Sequence, residues 1–130
     1  MSDMRDILKR ALPEADERAI ERFEIYHRLL AEWNEKMNLT AITDPVEVSE
    51  KHFADSLAAL PYLKAGGKVI DVGTGAGFPG VPLLIMEPSL DLTLADSLQK
   101  RLTFLDALLK ELGLKAAPLA FSSSAAASPL

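Results

Sequence analysis

The residues best suited to chemistry lie together in Asp71-Val72-Gly73-Thr74-Gly75-Ala76-Gly77-Phe78-Pro79-Gly80, directly after the apolar run Lys68-Val69-Ile70. A strand ending in a carboxylate and followed by Gly-x-Gly-x-Gly describes a tight turn at the carboxyl edge of a parallel sheet. Gly73, Gly75 and Gly77 carry no Cβ, so bare backbone can approach a ligand there. A second acid, Asp96, follows Gly77 by 19 residues and ends the next apolar run. Its two oxygens can accept both hydroxyls of a ribose, and it has no donor to repel them. The pair of features points to a nucleoside-bearing cofactor.

Two cofactor classes fit the turn. The acid–x–Gly–x–Gly–x–Gly form is that of S-adenosyl-L-methionine sites on Rossmann-like sheets. Gly75, Gly77 and Gly80 also satisfy the dinucleotide pattern G-x-G-x-x-G, although that match starts two residues late and places Pro79 inside the turn. A glycine turn with only a structural role is the third reading. Asp96 does not separate the cofactors, because nicotinamide sites use the same device.

Other polar residues give weaker signals. Asp71 is placed to orient the glycine turn or to meet an ammonium, and equally to be a buried carboxylate satisfied by turn N–H groups. His52 and Asp55, at i and i+3, share a helix face and could be mistaken for a metal or acid–base pair. One His and one Asp are too few for a zinc site, no metal is expected, and a structural polar contact is the plainer reading. Lys100-Arg101 could hold phosphate or form a solvated first turn of helix. His27, mid-helix, reads as surface. No nucleophile–base triad is recognisable, so the catalytic residues are unassigned.

Composition narrows the classes. The 130 residues suffice for one modest domain, or for an appendage with an incomplete larger one. Without cysteine there is no disulfide, no thiolate metal site and no thiol nucleophile. No stretch approaches the ~20 apolar residues of a membrane span. The N-terminus is charged from its third residue and has no secretory apolar run, which predicts a cytoplasmic protein. The net charge of −5 argues against generic nucleic-acid binding, and no basic stripe is visible, so an RNA partner cannot be argued from charge.

The elements that must position these residues can be read from periodicity. Residues 3–12 form a short helix closed by Pro13. Residues 14–37 form a longer one, with Ile20, Phe23, Leu30, Trp33 and Met37 along one face; Phe23 and Trp33 belong to the core. Asn38-Leu39-Thr40 ends it. Asp44, Pro45 and Glu47 give a cap, a first-turn proline and a capping box for a third helix. Phe53, Leu57 and Leu60 line its apolar face, and Pro61 stops it. After Gly66-Gly67 the period changes: a strand at 68–72, a helix at 80–87, and a strand at 91–95 ending in Asp96. A helix capped by Ser97 then runs to Leu112 with Leu98, Leu102, Leu105, Leu109 and Leu112 on one face, and Gly113 stops it. Val69, Ile70 and Val72 are apolar on both faces, as in a central parallel strand. Residues 116–121 offer a poor third strand, demoted by Pro118. The division is a helical region at 1–65, a partial α/β domain at 66–115, and an Ala/Ser/Pro-rich tail at 116–130 expected to lack order.

Four spaced motifs carry a resemblance: Trp33-Asn34-x-x-x-Asn38-Leu39-Thr40, Lys51-His52-Phe53-x-Asp55-Ser56-Leu57, Asp71 through Pro82, and Asp96-Ser97-Leu98-x-Lys100-Arg101-x-x-Phe104-Leu105. Together they resemble the bacterial RsmG (GidB) family over residues 20–115. The resemblance implies an α/β fold, an N-terminal helical segment followed by the first half of a Rossmann-like methyltransferase sheet. It implies S-adenosyl-L-methionine as methyl donor and N7 of a guanine in 16S ribosomal RNA of the small subunit as acceptor. By position it assigns Gly73, Phe78 and Asp96 to the cofactor, and His52, Asp55 and Ser56 to the same cleft. The family continues with an Arg-Ala-Glu-like segment that contacts adenine and a later Ser-Arg-Ala segment; Ser122-Ser123-Ser124-Ala125-Ala126 stands where the first belongs. The chain therefore reads as an incomplete form, truncated or frameshifted after about residue 115, and is expected not to methylate rRNA alone. A non-catalytic fragment and a fragment of an NAD-type oxidoreductase are the alternatives.

Overall fold

A computed structural model of the chain describes residues 3–37 and 44–122. Asn38-Leu39-Thr40, the side chain of Met37 and tail residues 123–130 lie outside the described residues. Helices α1 (Asp3–Ala11) and α2 (Glu17–Met37) open the chain. Asp16 caps α2 by accepting a hydrogen bond from Ala19 N–H at 2.9 Å, so the helix starts three residues later than its acidic approach suggests. Arg5 ties the two helices together through ion pairs to Glu17 and Glu24 at 2.9 and 2.8 Å.

The third helical stretch is irregular. It begins as α3 (Pro45–Glu47), where Asp44 accepts from Glu47 N–H at 3.2 Å. A π-helical segment (Val48–Phe53), α4 (Ala54–Ser56) and a 3-10 turn (Leu57–Tyr62) continue it. Pro61 therefore lies inside the final turn and does not stop the helix before it; the tighter winding carries the chain past the proline, and Leu63 turns extended. The widened winding places Val48, Ser49 and Phe53 in the interior.

Three parallel strands follow: β1 (Lys68–Val72), β2 (Asp91–Asp96) and β3 (Ala117–Ala120), in the order β1-β2-β3. Val72 pairs with Ala95, and Ala95 with Leu119. Ala117–Ala120 forms the poor third strand that residues 116–121 offered; Pro118 is tolerated because β3 is an edge. Helix α5 (Gly80–Met86) joins β1 to β2, and α6 (Gln99–Leu112) joins β2 to β3. Successive strands added to one side of β1 make one flank of a doubly wound sheet.

One continuous core joins the helical region to the α/β region, with Phe23, Tyr26, Leu30 and Phe53 meeting Leu84, Leu94, Phe104 and Leu105. Trp33 is partly buried and lies edge-on to Phe104 at 5.7 Å. Leu98, expected on the buried stripe of α6, is exposed, because it precedes the first turn of that helix. The helices cover the sheet face that carries Asp71, Leu92 and Leu94. The opposite face shows Ile70 at 64% and Val72 at 70% exposure, with Leu119 beside them. Each such side chain forgoes about 1.5–3 kcal/mol of burial. Among the described residues no helix is long and apolar enough to cross a membrane.

Candidate cofactor site

The β1–β2 register sets the site. With Val72 opposite Ala95, the two strands end side by side, and Gly73 and Thr74 N–H groups both donate to Ala95 O at 2.8 and 3.0 Å. The chain then folds back in the left-handed region, with φ of 71° at Gly73, 60° at Gly75 and 106° at Gly77. Only glycine takes such values without strain. Gly77 and Phe78 N–H close the turn on Thr74 O.

Asp71 supports this turn from beneath. Its Oδ2 accepts from the Thr74 hydroxyl at 2.7 Å and from Gly80 N–H at 2.9 Å. Burial pushes its carboxyl above the ordinary range, against those two hydrogen bonds, and the nearby charge of Asp96 adds to the rise. A Cβ on Gly80 would stand 2.8 Å from Leu94 Cδ2 and 2.9 Å from Asp71 Oδ2. Gly80 is therefore a packing glycine between α5 and the sheet.

Asp96 closes the turn from the side. It is 1% exposed; Oδ2 accepts from Gly75 N–H at 2.8 Å, and Oδ1 accepts from Leu98 N–H at 3.0 Å and Arg101 Nη1 at 3.4 Å. Burial pushes its carboxyl up, but these hydrogen bonds and the Arg101 guanidinium outweigh burial and hold it below the ordinary range. The helix start expected from Ser97 is made differently. Asp96 turns the chain by bonding the amide two residues on, and α6 begins at Gln99 with no side-chain cap of its own.

Phe78 faces two other rings. Tyr26 lies nearly parallel to it at 5.5 Å and His52 at 4.7 Å. The π-helical winding thus delivers His52 to the glycine turn, its buried Nε2 having no hydrogen-bond partner among the described residues. Asp55 is exposed, and no described hydrogen bond joins it to His52. Lys100 is exposed, whereas Arg101 is half-buried against Asp96. The structure therefore brings together Asp71, Gly73, Gly75, Gly77, Phe78, Asp96, His52 and Arg101, and leaves Asp55 and Lys100 on the surface. Among the described residues no group of three His, Asp or Glu could hold a metal.

Two further residues, Tyr26 and Thr74, belong to the site. Tyr26 sits three residues after Phe23 and four before Leu30, on the same α2 stripe, and a buried tyrosine hydroxyl needs a partner. Thr74, 2% exposed, is a short hydroxyl three residues from Asp71.

The order of the strands, the acid-ended β1, the glycine turn and the acid at the end of β2 define the class: an N-terminal helical segment on the opening part of a Rossmann-like methyltransferase sheet. Residues 19–120 match the family model GidB, rRNA small subunit methyltransferase G. The chain belongs to that family. It is 55% identical over 102 residues to "Ribosomal RNA small subunit methyltransferase G" of Alkaliphilus metalliredigens (strain QYMF), covering 77% of this chain and 43% of the relative. The protein of the same name from Desulfitobacterium hafniense (strain Y51) is 56% identical over 95 residues, 73% of this chain and 39% of the relative. That of Desulforamulus reducens is 48% identical over 120 residues, 88% and 50%. The chain thus spans about half the length, or less, of the curated relatives it matches.

Proposed function

We propose that the chain carries the cofactor-binding part of an S-adenosyl-L-methionine-dependent methyltransferase acting on N7 of a guanine in 16S rRNA of the small ribosomal subunit. Residues 1–65 supply the helical layer and 66–115 the cofactor-binding part. Asp71, Gly73, Gly75, Gly77, Phe78 and Asp96 form the cofactor site. His52 and Arg101 stand next to it on the substrate side; Asp55 and Lys100 are surface candidates for RNA contact.

One observation favours this reading over a dinucleotide: most amides of the glycine turn are already bonded within the protein. The amides of Gly73, Thr74, Gly75, Gly77 and Phe78 all donate within the protein, and Gly80 N–H, at the start of α5, is taken by Asp71. Two carboxylates flank the turn, and their negative charge disfavours a pyrophosphate and suits a cationic ligand.

S-adenosyl-L-methionine, when bound, supplies a methyl group on a sulfonium. Guanine N7 has a lone pair free at neutral pH, so its attack requires no base. The protein's part is to align the two reactants and exclude water. Phe78 and His52 give flat surfaces at the edge of the turn, and Asp96 fixes the turn against β2.

Incubation of the chain with unmodified small subunits and labelled S-adenosylmethionine, followed by mapping of the label, tests the acceptor. The uncovered Ile70–Val72 face and the open edge of β1 lead us to expect little turnover from these 130 residues alone. Labelling at a position other than guanine N7 would refute the assignment.

A further inference from the structure

The residue that ties the helical layer to the glycine turn is Tyr26, in the middle of α2. Its side chain is fully buried, and its hydroxyl donates to Ala76 O at 2.7 Å across a sequence separation of 50 residues. The ring lies parallel to Phe78 and packs on Phe53 at 5.0 Å. The next residue of the turn is shaped around it: a Cβ on Gly77 would stand 2.5 Å from the Tyr26 hydroxyl oxygen.

We propose that Tyr26 is a positioning residue for the cofactor turn, holding Ala76 O inward so that the turn between Gly73 and Phe78 keeps the form a cofactor meets. As a statement about a cofactor site this rests on the function proposed above; as a statement about the turn it stands on geometry alone. Three contacts converge on one side chain: a hydrogen bond at Ala76, a close approach at Gly77 and a ring stack at Phe78. Burial, with the charge of Asp71 adding to it, raises the Tyr26 hydroxyl well above its ordinary pKa, so it remains a donor. Helix α2 thereby sets the conformation of a turn whose Ala76 lies 50 residues from Tyr26 in sequence.

The test is amide hydrogen exchange on the whole chain, comparing Tyr26→Phe with Leu12→Ala, a buried substitution outside the turn. Tyr26→Phe should speed exchange at Gly77 and Phe78 about tenfold, the change that one lost hydrogen bond gives, relative to amides of α6. Leu12→Ala should speed exchange without singling out the turn. Equal turn protection in wild type and Tyr26→Phe, or the same pattern in both variants, would overturn the proposal. If Tyr26→Phe does not fold, the wild-type spectrum decides: a slowly exchanging Tyr26 hydroxyl proton close to Ala76 supports the role, and a rapidly exchanging one contradicts it. S-adenosylhomocysteine affinity should also fall about tenfold in Tyr26→Phe and hold in Leu12→Ala. A wild-type chain that binds no S-adenosylhomocysteine would count against the proposed cofactor, while the exchange data would still judge Tyr26.

Discussion

Asp96, at the end of β2, reaches across to the amide of Gly75 beyond the end of β1 and accepts its hydrogen bond at 2.8 Å. The carboxylate of one strand thus closes the turn of its neighbour. It does so while also bonding Leu98 N–H and Arg101, so one buried acid fixes the glycine turn and the start of α6 together.

Removing that acid should damage cofactor binding and the turn together. Asp96→Ala is expected to weaken S-adenosylhomocysteine binding by about 1.5–3 kcal/mol, the scale of a lost charge-assisted hydrogen bond. Asp96→Asn, which keeps an acceptor for Gly75 N–H, should lose less. Titration calorimetry on both variants checks the order; equal affinity in Asp96→Ala and wild type would remove Asp96 from the site.

The two acids should respond oppositely to pH. Asp71 has its carboxyl raised above 3.8, so its contribution to stability is complete below that value and lost as pH climbs through its folded pKa. Asp96 is lowered; its contribution is present above 3.8 and lost as pH falls through its folded pKa. Asp71→Asn keeps an oxygen for Thr74 and Gly80, so at pH 7 the variant should be at least as stable as wild type, its advantage vanishing below pH 3.8. Urea unfolding across this range measures it, and a less stable Asp71→Asn at pH 7 would contradict the argument.

Gly80→Ala isolates packing from conformation. The added methyl meets Leu94 and Asp71 inside 3 Å, and relief of such overpacking costs about 1–3 kcal/mol. A thermal melt should show the loss, and an unchanged melting temperature would mean that α5 is free to move off the sheet.

His52 and Asp55 should part company. His52→Ala removes a ring stacked on Phe78 and should lower stability by about 0.5–1.5 kcal/mol along with methyl transfer. Asp55→Ala, on an exposed side chain, should leave stability within about 0.5 kcal/mol of wild type. If both variants lost stability equally, the two residues would form one structural pair.

Much of the fold is legible in the residues, for reasons tied to particular elements. β1 and β2 are short apolar runs with acid ends, and the glycines between them mark the turn whatever the tertiary context. The α6 leucines show their helical spacing directly. Harder to read is the stretch from Asp44 to Tyr62, where π and 3-10 windings replace a regular helix and periodicity shifts by a residue. A hydroxyl at Ser97 suggests the cap of α6; the buried carboxylate one residue earlier bonds the next-but-one amide instead. β3 carries the proline and alanines of a poor strand, and it forms by pairing with β2, a context that local sequence does not contain. Tyr26 stayed hidden for a related reason. Its place on an apolar stripe predicts burial, but its partner, Ala76 O, is fixed only once α2 packs over the turn.

The central claim is that the glycine turn and Asp96 hold S-adenosyl-L-methionine. It is tested most directly by titrating the isotope-labelled chain with S-adenosylhomocysteine and, separately, with NAD, while following every backbone amide by NMR. The account predicts shifts that saturate with S-adenosylhomocysteine at Gly73, Gly75, Gly77, Phe78 and Asp96, with NAD leaving those amides in place. Undisturbed turn amides up to millimolar S-adenosylhomocysteine, or equal saturation by NAD, would contradict it.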